Sequence, residues 1–250
     1  MIAARILVLI PHPDDEVVGC ATAIARARAA GAVVSGLYLT SGVPARARYA
    51  ERVARRRQEA ERAAAVLGLS PAAFTNWPSR TLKSHLDEAH ALIEQTVAER
   101  RIDEIWVPAW EGGHQDHDVT NFLASRVRDT LRVREFAEYN FAGGRIRSQT
   151  FVEVNGTEEI VTLSADEARN KRNLLAIYRS ERTNLRYVRI HHESLRKLAP
   201  YDYRVAPHSG RLFCERFRWI PFRHPSIDFE PSETVRAALA AWRPSVVPMR

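Results

Sequence analysis

The sequence predicts an α/β fold, a mostly parallel sheet with helices on both faces, and three observations carry that expectation. Apolar strand-like runs alternate with helix-like stretches through the first half of the 250 residues, the pattern of strand, crossover helix and next strand. Gly31 and Gly68 stand where two of the helical stretches run out, as helix-ending glycines do. Two clusters of histidine and acidic residues each follow an apolar run, and open parallel sheets bind ligands beyond the carboxyl ends of their strands.

Taken in order, strands are expected over 5–10, 32–40, 72–75 and 104–107, with helices over 16–30, 49–67 and 84–101 between them. Helices of about 12 to 18 residues are normal crossovers. Beyond His117, 118–131 has helical spacing, 135–141 reads as a further strand, and Gly143-Gly144 marks a turn. The pattern then changes to a small α+β extension. It comprises a strand pair over 150–163, a helix over 165–178, a shorter helical stretch over 184–198 and a last strand over 212–218. Residues 1–225 are expected to form one domain, since no second core of domain size appears. Residues 226–250 read as a loosely attached tail with one short helix.

Composition excludes several classes. No apolar stretch approaches the roughly 18 to 20 residues that span a bilayer, and the N-terminus lacks a signal-peptide pattern, so a cytoplasmic protein with no membrane partner is expected. Cys20 and Cys214 are too few and too far apart for a disulfide framework or a zinc knuckle. The net charge of +7 invites a nucleic-acid reading. Lysine, however, occurs only at Lys83, Lys171 and Lys197, as a GC-biased genome would produce, and Arg55-Arg56-Arg57 lies among Glu51, Glu59 and Glu61 at pairing distance on a helix. Nucleic acid is not the expected partner.

The chemistry sits in the two clusters, Pro11-His12-Pro13-Asp14-Asp15-Glu16 after the first strand and His114-Gln115-Asp116-His117 after the fourth. A hydrolytic zinc takes three protein ligands from histidine and carboxylate and keeps one position open. His12, Asp15 and His117 supply such a set. Asp14 is then a spare carboxylate beside the metal, suited to general base work. His114, one helical turn before His117, is placed for a developing oxyanion or a leaving amine, with Asp116 near enough in sequence to fix its tautomer or hold it protonated. Glu16 reads as a first-turn carboxylate favoured by the helix dipole. His208 is a loop residue within range of such a site, and Trp77 and Trp110 are open between stacking on a sugar and packing in the core.

These same residues resemble the PIG-L/LmbE-like N-deacetylases, which carry a P-H-P-D-D-E and an H-x-D-H signature. The resemblance implies a Rossmann-like fold and a zinc-dependent enzyme that removes acetyl groups from N-acetylglucosamine-type substrates. It implies His12, Asp15 and His117 as ligands, Asp14 as general base and His114 as charge-stabilising acid. Weaker likenesses extend over 59–68, with Arg56 near the family's substrate-binding arginine, over 171–180, with Tyr178 and Ser180, and at Glu215-Arg216-Phe217. Two positions depart from the family. Gly112 stands where some sugar-specific members have a tyrosine, and Trp77-Pro78-Ser79-Arg80 replaces a Pro-Asp pair.

The expected activity is amide hydrolysis of a small N-acylated amino sugar, with Arg56 and Arg80 as candidate substrate contacts. The alternative is a Rossmann-like protein that binds a sugar or nucleotide without hydrolysing it, although no G-x-G-x-x-G follows the first strand. Zinc is the expected metal with iron also open, and a homo-oligomer is compatible with the sequence.

Overall fold

Along the first strand, β1 (Arg5–Ile10), Leu7 and Leu9 enter one hydrophobic layer and Ile6, Val8 and Ile10 the other, all buried. A strand covered on both faces needs helices above and below it, and the computed structural model, which describes residues 4–217, 219 and 227–244, shows them. After β1 come α1 (Asp15–Ala29), β2 (Val33–Tyr38), α2 (Tyr49–Leu67), β3 (Ser70–Phe74), α3 (Leu86–Arg100), β4 (Glu104–Pro108), α4 (Gln115–Ser125) and β5 (Arg132–Phe136). The remainder holds the short pair β6 (Tyr139–Asn140) and β7 (Arg147–Ser148), then β8 (Glu159–Thr162), α5 (Ala165–Leu175), β9 (His192–Lys197) and α6 (Ser232–Ala241). Among the described residues the main sheet runs β3-β2-β1-β4-β5-β9-β8. The first five strands are parallel, and β9 runs antiparallel to both β5 and β8. Helices α1, α2 and α5 bury Val17, Ile24, Ala60, Leu67 and Leu174 on one face. Helices α3, α4 and α6 bury Ile93, Phe122, Leu123, Val235 and Leu239 on the other.

The order reverses at β1, whose neighbours are β2 and β4. This is the topological switch point where such sheets leave a crevice. The two polar clusters follow β1 and β4, so they meet at that crevice.

Helix α1 is broken at Cys20 (φ −148°, ψ 24°). Gly19 lies against Phe136, whose Cδ2 would be 2.1 Å from any added Cβ. The break frees backbone groups that the fold then satisfies. Lys171 Nζ and Gln149 Nε2 donate to the Val18 carbonyl at 2.9 and 2.7 Å, and the Glu193 carboxylate accepts from the Thr22 and Ala23 N–H groups at 2.9 Å each. Lys171 and Glu193 complete the set as a fully buried ion pair at 2.8 Å.

Several expectations need correcting. Helix α4 begins at Gln115, three residues earlier than its spacing indicates, because the His114 side chain caps it, and it ends at Ser125. Strand β5 accordingly starts at Arg132. The stretch 184–198, read as helical from its charges, contains a 3-10 turn at Asn184–Tyr187 and then the strand β9. Glu193, Ser194 and Arg196 are buried there, each with polar partners, so the strand lacks an apolar signature. No strand pair spans 150–163; only Glu159–Thr162 is extended, and it pairs with β9. The last strand expected over 212–218 is a 3-10 turn at Phe213–Glu215 where described. The tail expectation for 226–250 changes as well, because α6 is packed on the core through Val235 and Leu239. Among the described residues, no helix is long and apolar enough to cross a membrane.

Removing one partner of a buried ion pair leaves the other uncompensated. Glu193→Ala should therefore lower the unfolding free energy by about 3–5 kcal/mol in urea titrations. Glu61→Ala, which breaks the half-exposed pair with Arg57, should change it by less than about 1 kcal/mol.

Candidate metal centre

Three donor atoms converge at the ends of β1 and β4. His12 Nδ1 lies 3.1 Å from His117 Nε2, and Asp15 Oδ2 lies 3.4 Å from the first and 3.3 Å from the second. Ligands about 2.0–2.2 Å from a tetrahedral ion stand about 3.3–3.5 Å apart, so this triangle has the dimensions that a small divalent cation requires. His12, Asp15 and His117 are all buried. The donor set, two imidazoles and one carboxylate, fits zinc or iron. His12, His114 and His117 also lie close enough together to share an ion, as do Asp15, His117 and Glu138.

The turn that delivers Asp15 is strained. Asp14 has φ 127° and ψ −23°, a conformation that costs a non-glycine residue about 1–3 kcal/mol. Glu16 clamps it: one carboxylate oxygen accepts from the Asp14 N–H at 3.2 Å and the other from the Tyr178 hydroxyl. Glu16 is thus more than a first-turn carboxylate, and burial raises its pKa to about 7. Asp14 itself faces Arg56, with Nη1 and Nη2 each 3.3 Å from a carboxylate oxygen. Burial pushes the Asp14 carboxyl up, and Arg56 works against that shift.

Arg56, which the sequence offers as a substrate contact, is 3 % exposed and stands between Asp14 and Glu181. Its helix also presents Glu59, which accepts from the Ser180 N–H at 3.0 Å and from the Ser180 hydroxyl. The motif residues Tyr178 and Ser180 therefore tie the C-terminal extension to the turn behind Asp14. Arg80, the other proposed contact, donates its backbone N–H to Asp116 at 2.6 Å and its guanidinium to the Ile227 carbonyl at 3.2 Å.

The Asp116 carboxylate is turned toward His12. Its Oδ2 lies 3.0 Å from His12 Nε2 and 3.7 Å from His114 Nδ1, and the backbone N–H groups of Arg80 and Leu82 fix the carboxylate in place. His114 Nδ1 instead accepts from the Asp116 N–H at 3.0 Å. A nitrogen that accepts carries no proton, so the His114 hydrogen resides on Nε2. Burial and the nearby His12 lower the His114 pKa well below its ordinary value, which favours the neutral imidazole. Burial opposes a charge on His12 too, but Asp15 and Asp116 outweigh it and raise its pKa to about 10. The carboxylates around the two inner imidazoles favour positive charge between them.

Sequence reasoning passes over Ser79, whose hydroxyl is 3.2 Å from His12 Nε2, and Glu138, whose Oε2 is 3.5 Å from His117 Nδ1. Glu138 follows β5, the strand beside β4, so its position past a third strand end is the signal that points to it. Gly112 adopts φ 66°, a Cβ added there would crowd Leu212 and Pro207, and the Asp118 carboxylate holds its N–H at 3.2 Å. The turn is built for glycine. His208 contacts the Ser209 carbonyl rather than any of the donors described. Trp110 packs on Tyr203 in the core, and Trp77 stacks on His85.

Residues 7–127 match the family model described as PIG-L: GlcNAc-PI de-N-acetylase. The likeness covers just under half of the chain. Its matched span includes both clusters and every residue of the donor triangle. Among solved structures, the A40926 pseudoaglycone deacetylase is 19% identical, with a TM-score of 0.63 over 80% of this chain and 99% of that one. The N,N'-diacetylchitobiose deacetylase from Pyrococcus horikoshii is 20% identical, with a TM-score of 0.59 over 83% and 88%. The 4-carboxy-2-hydroxymuconate hydratase from Pseudomonas putida is 17% identical, with a TM-score of 0.53 over 80% and 98%. At these identities the likeness shows a shared fold. No curated protein matches the chain.

Beneath the donor triangle, Glu111 accepts from the Glu138 and Tyr139 N–H groups at 2.9 and 2.8 Å, yet burial raises its pKa to about 7 from 4.5. An acid with a raised folded pKa binds more protons folded than unfolded. Its contribution is fully present below about 4.5 and is lost as pH rises through about 7. Glu111→Gln removes that slope. Between about pH 5 and 8 the variant should gain roughly 2–3 kcal/mol relative to the wild type, measured by urea unfolding at both pH values.

Proposed function

We propose that this chain is a divalent-metal-dependent N-deacetylase acting on a small N-acylated amino sugar, with zinc as the metal and residues 1–225 as the deacetylase domain. The observation that carries the reading is the 3.1–3.4 Å donor triangle of His12, Asp15 and His117 with a carboxylate, Asp14, left beside it. The PIG-L match and the deacetylase names of two structural relatives support the same chemistry.

A divalent ion held by these three residues supplies Lewis acidity and a water of lowered pKa. Asp14 receives the proton of the attacking water, a task suited to a carboxylate whose burial favours the protonated form. Arg56 fixes the Asp14 carboxylate through both of its terminal nitrogens, and the Glu16 clamp fixes the backbone beneath it. His114 donates its Nε2–H to the carbonyl oxygen as negative charge develops there, worth about 3–4 kcal/mol of barrier for such a donor. The acid that returns a proton to the leaving nitrogen is Asp14, since the site favours a neutral His114. Asp116 and Ser79 orient His12 rather than touch substrate. We further infer a cytoplasmic protein in which Cys20 and Cys214 are reduced.

The hydratase relative supports a second reading, water addition to an unsaturated acid, because the same fold carries that name. The two are separated by product. Incubation with a panel of N-acetylated amino sugars should release acetate at one metal ion per chain, stop on chelation and resume on adding zinc. Metal binding without acetate release, together with hydration of an unsaturated dicarboxylate, would replace the proposal with its rival. Asp14→Asn should keep its metal and lose roughly 10²–10⁴-fold in turnover, whereas near-wild-type turnover would remove Asp14 from its role.

A further inference from the structure

Each inner imidazole has one nitrogen in the donor triangle and one facing outward. The outward nitrogen of His12 meets Asp116 at 3.0 Å. That of His117 meets Glu138 Oε2 at 3.5 Å, and both residues are essentially inaccessible to solvent. Within this structure, His117 Nδ1 and both Glu138 carboxylate oxygens have no hydrogen-bond partner. Buried polar atoms without partners are costly, and here two such groups face one another at the limit of hydrogen-bond distance.

We propose, on the reading of the triangle as a metal site, that Glu138 is a positioning residue: its Oε2 accepts the His117 Nδ1–H, which leaves Nε2 unprotonated and aimed at the ion. Ionised or protonated, a carboxyl group keeps an oxygen that can accept. Glu138 is held for the task by the backbone, since its N–H donates to Glu111 at 2.9 Å and its strand end lies beside that of β4. The arrangement mirrors the Asp116 contact to His12, so both metal-facing imidazoles have their tautomers set by an outer carboxylate, as histidine ligands generally require.

The test compares zinc affinity, by chelator competition without substrate, in the wild type, Glu138→Gln and Glu138→Ala. The glutamine keeps an accepting carbonyl oxygen and should bind zinc within a few-fold of the wild type. The alanine should bind about 10–100-fold more weakly. An alanine variant that folds and binds zinc within twofold of the wild type overturns the proposal, as does a glutamine variant as weak as the alanine. Should the alanine variant fail to fold, 15N NMR of the wild type decides: a proton on His117 Nδ1 supports the proposal, and one on Nε2 overturns it. A wild type that binds no zinc would overturn the metal reading itself, a result distinct from equal binding by wild type and alanine variant.

Discussion

A short piece of parallel ladder, Ile6 to Val8 beside Glu104 to Trp106, brings together loops a hundred residues apart in sequence. Because β1 and β4 are adjacent and point the same way, the chain leaves both at one edge of the sheet. His12 follows the first and His117 lies one turn into the helix that follows the second, close enough for ring centroids 5.0 Å apart. Neighbouring strands in such a sheet are less than about 5 Å apart, so the meeting of the two imidazoles is a property of strand order rather than of loop conformation. Were another strand inserted between β1 and β4, the same residues would be too far apart to share an ion.

Around that edge the fold buries more acid than base. Asp14, Asp15, Glu16, Asp116, Asp118 and Glu138 are buried, and Arg56 is the buried cation beside them. Backbone N–H groups compensate much of this charge, as at Asp116 and Asp118. The remainder appears as raised carboxyl pKa values, to about 7 at Glu16 and about 8 at Asp118, burial being the largest cause in each. A pocket so arranged attracts positive charge from any source, whether a proton on His12 or an ion between His12, Asp15 and His117. Lys171 pairs with Glu193 at the break in α1 and reaches Glu138 only through its charge, which works against the burial of that acid.

The parts of the fold that obey hydrophobic periodicity were legible from the residues alone. β1 and α2 match the structure along their whole length, and the parallel half-sheet and the position of both clusters at strand ends follow from the same reading. What escaped were elements whose burial is polar. β9 places Glu193, Ser194 and Arg196 inside the protein, where each is saturated by partners that only the tertiary structure supplies. Its sequence therefore resembles a solvated helix. The same blind spot hid the burial of Arg56, whose helix looks exposed because its other arginines are, and the contact of the Asp116 carboxylate with His12 across the site. Sequence proximity favoured one partner, and the sheet supplied another.

The segment around Ile227 braces the loop behind the site through contacts of great sequence separation. Gln115 donates to Asp228 at 2.5 Å across 113 residues, and Lys83 meets Glu230 at 2.6 Å across 147. Closing so long a span is entropically slow to reward. The β1–β4 pairing already closes a span of similar length, and closure cost grows only with the logarithm of loop length, so these ties add little to it. Residues late in the chain thus steady Arg80 and Asp116 from the far side of the motif loops.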